Sequence, residues 1–247
     1  MNREAATVFS RVILAEKTVH IKLLGDSITH GVGGSGFQQN GEKIADKFSR
    51  NPDGFCWAKM FKEHMEAQYN CTVTNNACTG TAIEFILQHF DELVSPEDDI
   101  VFCMIGTNNR HMYFRHGDKP TKEQYMERFY RNILALHDRF LAAGKDVVFA
   151  ANIPAAAANE KDGENYWRIF HMNDVRDLYR KASVLRGFPL ISFYDAFSEY
   201  CLEKNIPLEI LLKDGLHPND EGYRVMFSIL MREIGLAAVD NGYPIRW

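Results

Sequence analysis

Ser27 stands just past an apolar run, His20 to Leu24, that ends in Gly25 and Asp26. Such a run reads as a strand that turns sharply at its glycine. A serine there presents its hydroxyl at the sheet edge where ligands are held. A serine hydroxyl is a weak nucleophile until a base takes its proton. The stretch Asp214 to Pro218 offers one. A loop turn at that spacing brings the Asp214 carboxylate to one nitrogen of the His217 ring and leaves the other facing out. That fixes the tautomer and stabilises the imidazolium that forms during attack. Pro218 favours an extended His217. Two more loops offer donors to a developing oxyanion. Gly106 to Asn109 carries a side-chain amide at Asn108, and Asn75 to Gly80 ends in a glycine whose N–H can approach closely. Each feature has a plainer reading alone, as a helix cap or an Asx turn. Together they point to acyl transfer.

A rival reading overlaps this one. Gly31-Val32-Gly33-Gly34-Ser35-Gly36 spells the G-x-G-x-x-G of a dinucleotide site. That fingerprint needs its glycines to open a helix facing a pyrophosphate. Here Phe37 to Lys43 show no helical apolar period, Gly41 interrupts them, and no Lys-Ser or Lys-Thr follows. The stretch is expected to be a flexible rim at the mouth of a pocket. No cofactor and no metal is expected, since His20, His64, His89, His137 and His171 show no H-x-x-x-H or H-E-x-x-H spacing. These histidines read as solvated or core residues. Met60, Met65, Met104 and Met226 read as core filler, and Trp57 and Trp167 as packing.

The elements that must position these residues alternate in type. His20–Leu24, Thr72–Thr74, Ile100–Ile105, Val147–Ala151 and Leu190–Phe193 are short and apolar at consecutive residues, as in strands buried on both faces of a parallel sheet. Between them lie helical patterns. Thr121 and Gln124 form a capping box, Phe129, Ile133, Leu136 and Phe140 repeat at helical spacing, and Gly144 stands at a C-terminal cap. Trp57 to Met65, Glu164 to Arg186, and a last helix capped by Asn219 with Asp220 and Glu221 in its first turn complete the set. Alternation of this kind predicts one doubly wound α/β domain over residues 1–247.

The totals fit an ordinary soluble globular chain: 46% apolar, 25% charged, net charge −5. The scattered basic residues argue against nucleic acid as a partner. The five cysteines form no C-x-x-C, so neither a disulfide framework nor a zinc ribbon is expected. No leader-like or membrane-spanning run is seen, so a cytoplasmic location is expected. Oligomeric state is not readable.

Four blocks in order then carry a resemblance. Gly25 to Thr29 reads G-D-S-I-T, Gly80 stands alone, Gly106 to Asn109 reads G-T-N-N, and Asp214 to Pro218 reads D-G-L-H-P. The chain resembles the SGNH or GDSL hydrolases. The resemblance implies a three-layer, flavodoxin-like fold whose central parallel sheet has strand order 2-1-3-4-5, and an esterase that needs no metal. It implies Ser27 as nucleophile and His217 as base. Asp214 would orient His217, and Ser27 N–H, Gly80 N–H and the Asn108 amide would form the oxyanion hole. Asp26 would organise the loop. Asn109 departs from the family's usual G-x-N-D, which weakens charge-based support for that turn.

The expected reaction is two-step ester hydrolysis through an acyl-enzyme, failing at acid pH as His217 protonates. Arg110 to Pro120 is polar and aromatic, too charged for a lipid groove, and could grip a sugar or an anion. Small acyl groups, O-acetyl on a carbohydrate among them, are the expected substrates. A lysophospholipase or thioesterase, a silent carbohydrate binder and a nucleotide binder using Gly31 to Gly36 are the alternatives.

Overall fold

Strand β5 (Ile100–Met104) is buried at every position, and its side chains alternate between two cores. Ile100, Phe102 and Met104 join one apolar cluster. Val101 and Cys103, with Ile105 just beyond, join the other. A strand covered on both faces has no polar side to show, hence the unbroken apolar run. The computed structural model, which describes residues 1–39, 41–44, 47–48, 54–110, 120–160 and 168–236, sets this strand at the centre of a five-stranded sheet. With β1 (Val19–Gly25), β4 (Cys71–Asn75), β6 (Asp146–Ala151) and β7 (Leu190–Ser192), the order is β4-β1-β5-β6-β7, all parallel. Counted within this sheet alone, that is 2-1-3-4-5. The labels are displaced by a small antiparallel ribbon, β2 (Lys43–Ile44) and β3 (Lys47–Phe48), which the sequence pattern did not signal.

Helices cover both faces. The first cluster packs α1 (Arg3–Leu14), α3 (Trp57–Gln68), α8 (Phe193–Lys204) and α9 (Asp220–Glu233) on the sheet. The second packs α4 (Ile83–Gln88), α5 (Phe90–Leu93), α6 (Lys122–Ala142) and α7 (Met172–Arg186). Helix α6 has the expected capping box: Thr121 Oγ1 accepts from Gln124 N–H, and Gln124 Oε1 accepts from Thr121 N–H at 2.8 Å. Helix α7 starts at Met172 rather than Glu164. Residues 161–167, Trp167 included, lie outside the described residues, and Arg168 to Phe170 are not helical. Phe193 opens α8 instead of closing β7, because Ser192 caps that helix by accepting from Asp195 N–H.

Cys56, Cys71, Cys78, Cys103 and Cys201 are buried free thiols. Burial raises the thiols of Cys56 and Cys71 to about 11, so neither offers a thiolate at neutral pH. Among the described residues no helix is long and apolar enough to cross a membrane.

The register sets the stage for chemistry. Gly25 pairs with Met104, and Leu23 with Asn75, so β1, β4 and β5 end side by side. Strand order reverses at β1, where a crevice opens beyond the carboxyl ends. The loops carrying Ser27, Gly80 and Asn108 leave from those three ends.

Candidate active site

The turn after β1 is built around the absence of a side chain at Gly25. A Cβ there would lie 2.3 Å from Thr29 Oγ1 and 2.5 Å from Met104 O. The chain turns at once into α2 (Ser27–His30), capped by Asp26, whose Oδ1 accepts from Ile28 N–H at 3.1 Å. Asp26 is wholly buried, and its Oδ2 accepts from Asn152 Nδ2 at 3.1 Å. Asn152 also donates to Thr107 Oγ1 at 2.5 Å, so one knot ties the ends of β1, β5 and β6. Burial pushes the Asp26 carboxyl up, against opposing hydrogen bonds from Ile28 N–H and the Thr107 hydroxyl.

Ser27, 5% exposed, points its Oγ at His217 Nε2, 2.8 Å away. His217 Nδ1 lies 2.8 Å from Asp214 Oδ2. The other Asp214 oxygen accepts the N–H groups of Leu216 at 3.0 Å and His217 at 2.8 Å. This short loop is pinned at both ends: Leu212 bridges Pro218, and Lys213 N–H donates to His217 O. Behind it, Asn159 Nδ2 donates to Asp214 O at 3.2 Å and Ala156 N–H to Gly215 O at 2.8 Å. Partial burial pulls the Asp214 carboxyl up. The hydrogen bonds from the His217 backbone and ring outweigh that and hold it below its ordinary value of 3.8. An ionised Asp214 keeps the proton on Nδ1, so Nε2 is bare and accepts from the Ser27 hydroxyl. The arrangement can take a proton from Ser27 and hold the resulting imidazolium.

The donor loops lie beside it. Gly80 adopts a left-handed φ of +75°, and a Cβ there would meet nothing within 4 Å. Its glycine therefore answers to backbone conformation, not to the close approach the sequence suggested. Asn108 sits on a 3₁₀ turn (Thr107–Arg110), and its Nδ2 donates to Thr81 O at 2.8 Å.

One rival reading falls and two expectations change. Gly31 to Gly36 follow the C-terminus of α2 and open no helix, which removes the geometry a pyrophosphate needs. Nor are they a loose rim. Ser35 donates from N and Oγ to the two Asp220 oxygens at 2.7 and 2.6 Å, and the Tyr223 hydroxyl donates to Val32 O at 2.6 Å. A Cβ on Gly33, at φ +100°, would lie 2.3 Å from Pro218 O and 3.0 Å from His217 Cβ. These glycines let the Ser27 segment press against the His217 loop. Gly33→Ala is therefore expected to displace that loop and lower kcat about 100-fold, since ~1 Å of misplacement costs that much. Stability should fall by about 1–3 kcal/mol. Ester kinetics and thermal unfolding check this, and wild-type kcat would contradict it. Thirdly, Arg110 grips no ligand from the surface. It is fully buried, with Nη1 on Glu160 Oε1 at 2.7 Å. Residues 111–119 lie outside the described residues.

Asn152 and Asn159 escaped the sequence reading, although Asn152 follows a strand just as Ser27 does, and the sequence marks Asp220 only as a first-turn acid of the last helix. Asn109 is not a weak point of its turn: its amide bonds Ile83 N–H and Glu84.

No curated protein matches the chain by sequence. Solved structures share its fold at low identity. An α/β hydrolase enzyme from the metagenome of Lake Arreo, Spain, is 21% identical with a TM-score of 0.67, covering 90% of this chain and 98% of its own. An acetylxylan esterase from Geobacillus stearothermophilus is 18% identical with a TM-score of 0.64, covering 91% and 98%. A lipase/acylhydrolase from Enterococcus faecalis is 19% identical with a TM-score of 0.62, covering 88% and 95%. A family model matches residues 23–225, a span that takes in the Ser27 turn, both donor loops and the Asp214–His217 loop, and by that match the chain belongs to the GDSL-like lipase/acylhydrolase family.

Proposed function

We propose that the protein is a serine esterase that removes small acyl groups, acetyl foremost, from carbohydrate hydroxyls. The observation that carries the chemistry is the 2.8 Å contact between Ser27 Oγ and His217 Nε2, backed by Asp214 at 2.8 Å. His217 takes the Ser27 proton as Oγ bonds to the ester carbonyl carbon. The carbonyl electrons move to oxygen, and that oxyanion is met by Ser27 N–H, Gly80 N–H and the second amide proton of Asn108. Collapse expels the alcohol oxygen, which takes the proton from His217. Water then attacks the acyl-enzyme, giving its proton to the same nitrogen, and the acid leaves as Ser27 recovers its hydrogen. Each preset donor contributes about 3 kcal/mol to transition-state stabilisation.

The substrate class has its own supports. Ser27 is nearly covered, which suits a short acyl chain better than a lipid tail. Among the similar folds is an acetylxylan esterase. Comparing acetylated xylo-oligosaccharides with p-nitrophenyl esters of two to twelve carbons tests this reading. Acetyl groups should leave the sugar, and kcat/KM should fall at least about tenfold between the acetate and the octanoate. Preference for the long chains, or inert acetylated sugars, would overturn it.

A further inference from the structure

Three side-chain hydrogen bonds run between the segment after Gly80 and the turn that carries Asn108. Asn108 Nδ2 donates to Thr81 O at 2.8 Å. Asn109 Oδ1 accepts from Ile83 N–H at 3.0 Å, and Asn109 Nδ2 donates to Glu84 Oε2 at 2.8 Å. Helix α4 begins at Ile83 behind Ala82, whose side chain cannot cap it. The buried Asn109 supplies the missing acceptor from a distant loop. The second Glu84 oxygen accepts from Asn132 Nδ2 on α6 at 3.0 Å, with Arg128 Nε 3.6 Å away. A carboxamide accepts a backbone N–H on one side and donates to a carboxylate on the other, which an ionised carboxylate cannot do. An aspartate in place of Asn109 would face Glu84 as a second carboxylate at hydrogen-bond distance.

We infer that Asn109 and Glu84 are positioning residues that set the separation between the Gly80 N–H and the Asn108 amide. This rests on the reading of Ser27 as nucleophile and of those two donors as an oxyanion hole. Neither Asn109 nor Glu84 reaches the reacting atoms. Gly80 has open space around it, so its place is set through its neighbour Thr81. Thr81 Oγ1 donates to Cys78 O at 2.7 Å, and Thr81 O holds Asn108. The two bonds from Asn109 then fix how the Asn108 turn sits on that segment. A donor stabilises an oxyanion fully only when it needs no reorganisation as charge develops.

The test uses p-nitrophenyl acetate, with kcat expressed per site titrated to completion by a fluorophosphonate, so that loss of folded protein does not count. N109D should lower kcat about tenfold to a hundredfold with KM nearly unchanged. E84A, whose partner amide survives, should lower it about threefold to tenfold. In E84Q/N109D the polarity of the bond is reversed. The amide introduced on α4 donates to the carboxylate introduced on the turn, whose other oxygen keeps Ile83 N–H. The kcat of this double variant should return to within about threefold of wild type. If N109D and E84A both stay within about twofold of wild type, or the double variant is no better than N109D, the inference is overturned. Should N109D fail to fold, wild-type kcat in E84A alone overturns it; Glu84 is 43% exposed, so its truncation is expected to leave the fold intact. Activity surviving in Ser27→Ala would strike the reading of the site instead. An inactive Ser27→Ala beside intact N109D and E84A strikes only this inference.

Discussion

Ser27→Ala is expected to lower kcat on esters about 10⁵-fold or more, with the fold unchanged. Among the described residues the Ser27 hydroxyl is the group that faces His217 Nε2, and the five cysteines are buried thiols, four of them with raised pKa. What survives should be the modest catalysis a preset oxyanion hole gives to water, roughly 10³-fold to 10⁴-fold over the uncatalysed rate. Substrate binding should change little, since removing one oxygen enlarges the site. Steady-state kinetics and thermal unfolding on the same preparation check both halves of this expectation. An alanine variant within about tenfold of wild type would remove Ser27 from the mechanism.

Asp214→Asn should lower kcat about 10⁴-fold while leaving the loop in place. The two carboxylate oxygens do different work. Oδ1 holds the N–H groups of Leu216 and His217, and an asparagine oxygen can keep both. Oδ2 accepts from the His217 ring. An amide nitrogen there must donate instead, so Nδ1 becomes the acceptor and Nε2 carries the hydrogen. The ring then offers Ser27 a proton when it should remove one. In the wild type, partial burial raises the Asp214 carboxyl, but the hydrogen bonds from His217 hold it below 3.8. Its pairing therefore stabilises the fold above the unfolded-state value and is lost only as the pH falls through the lower folded-state value. Asp214 thus stays ionised, and keeps its hold on the His217 ring, until the pH falls to that lower value. A pH–rate profile checks the role: Asp214→Asn should stay far below the wild type across the whole neutral range. Equal rates for the two proteins near neutrality would contradict the orienting role.

Much of this geometry could be read from residues that act locally. β1 and β5 announce themselves as apolar runs because both their faces are covered. α6 is legible because Thr121 and Gln124 lie within one turn of each other. Asp214 and His217 form a pair three residues apart. What could not be read depends on partners brought in from afar. The Gly31–Gly36 stretch looks like a loose loop until Pro218 and Asp220 press on it. Glu84 is an unremarked surface acid until Asn109 reaches it from another strand end. α1 buries only Ala5, Phe9 and Val12, a stripe too thin to stand out in a polar segment. α8 follows β7 without a break, so Ser192 ends one element and caps the next. The ribbon of β2 and β3 has two residues in each strand, too few for any alternation to show.

The central claim is that one imidazole activates one alcohol, and the most direct measurement is covalent. The protein is treated with a fluorophosphonate, its intact mass is taken, and the modified peptide is mapped. A single adduct on Ser27, formed in step with loss of esterase activity and absent from Ser27→Ala, is the predicted result. An adduct on any other residue, or full ester hydrolysis by protein that never reacts with the probe, would contradict it.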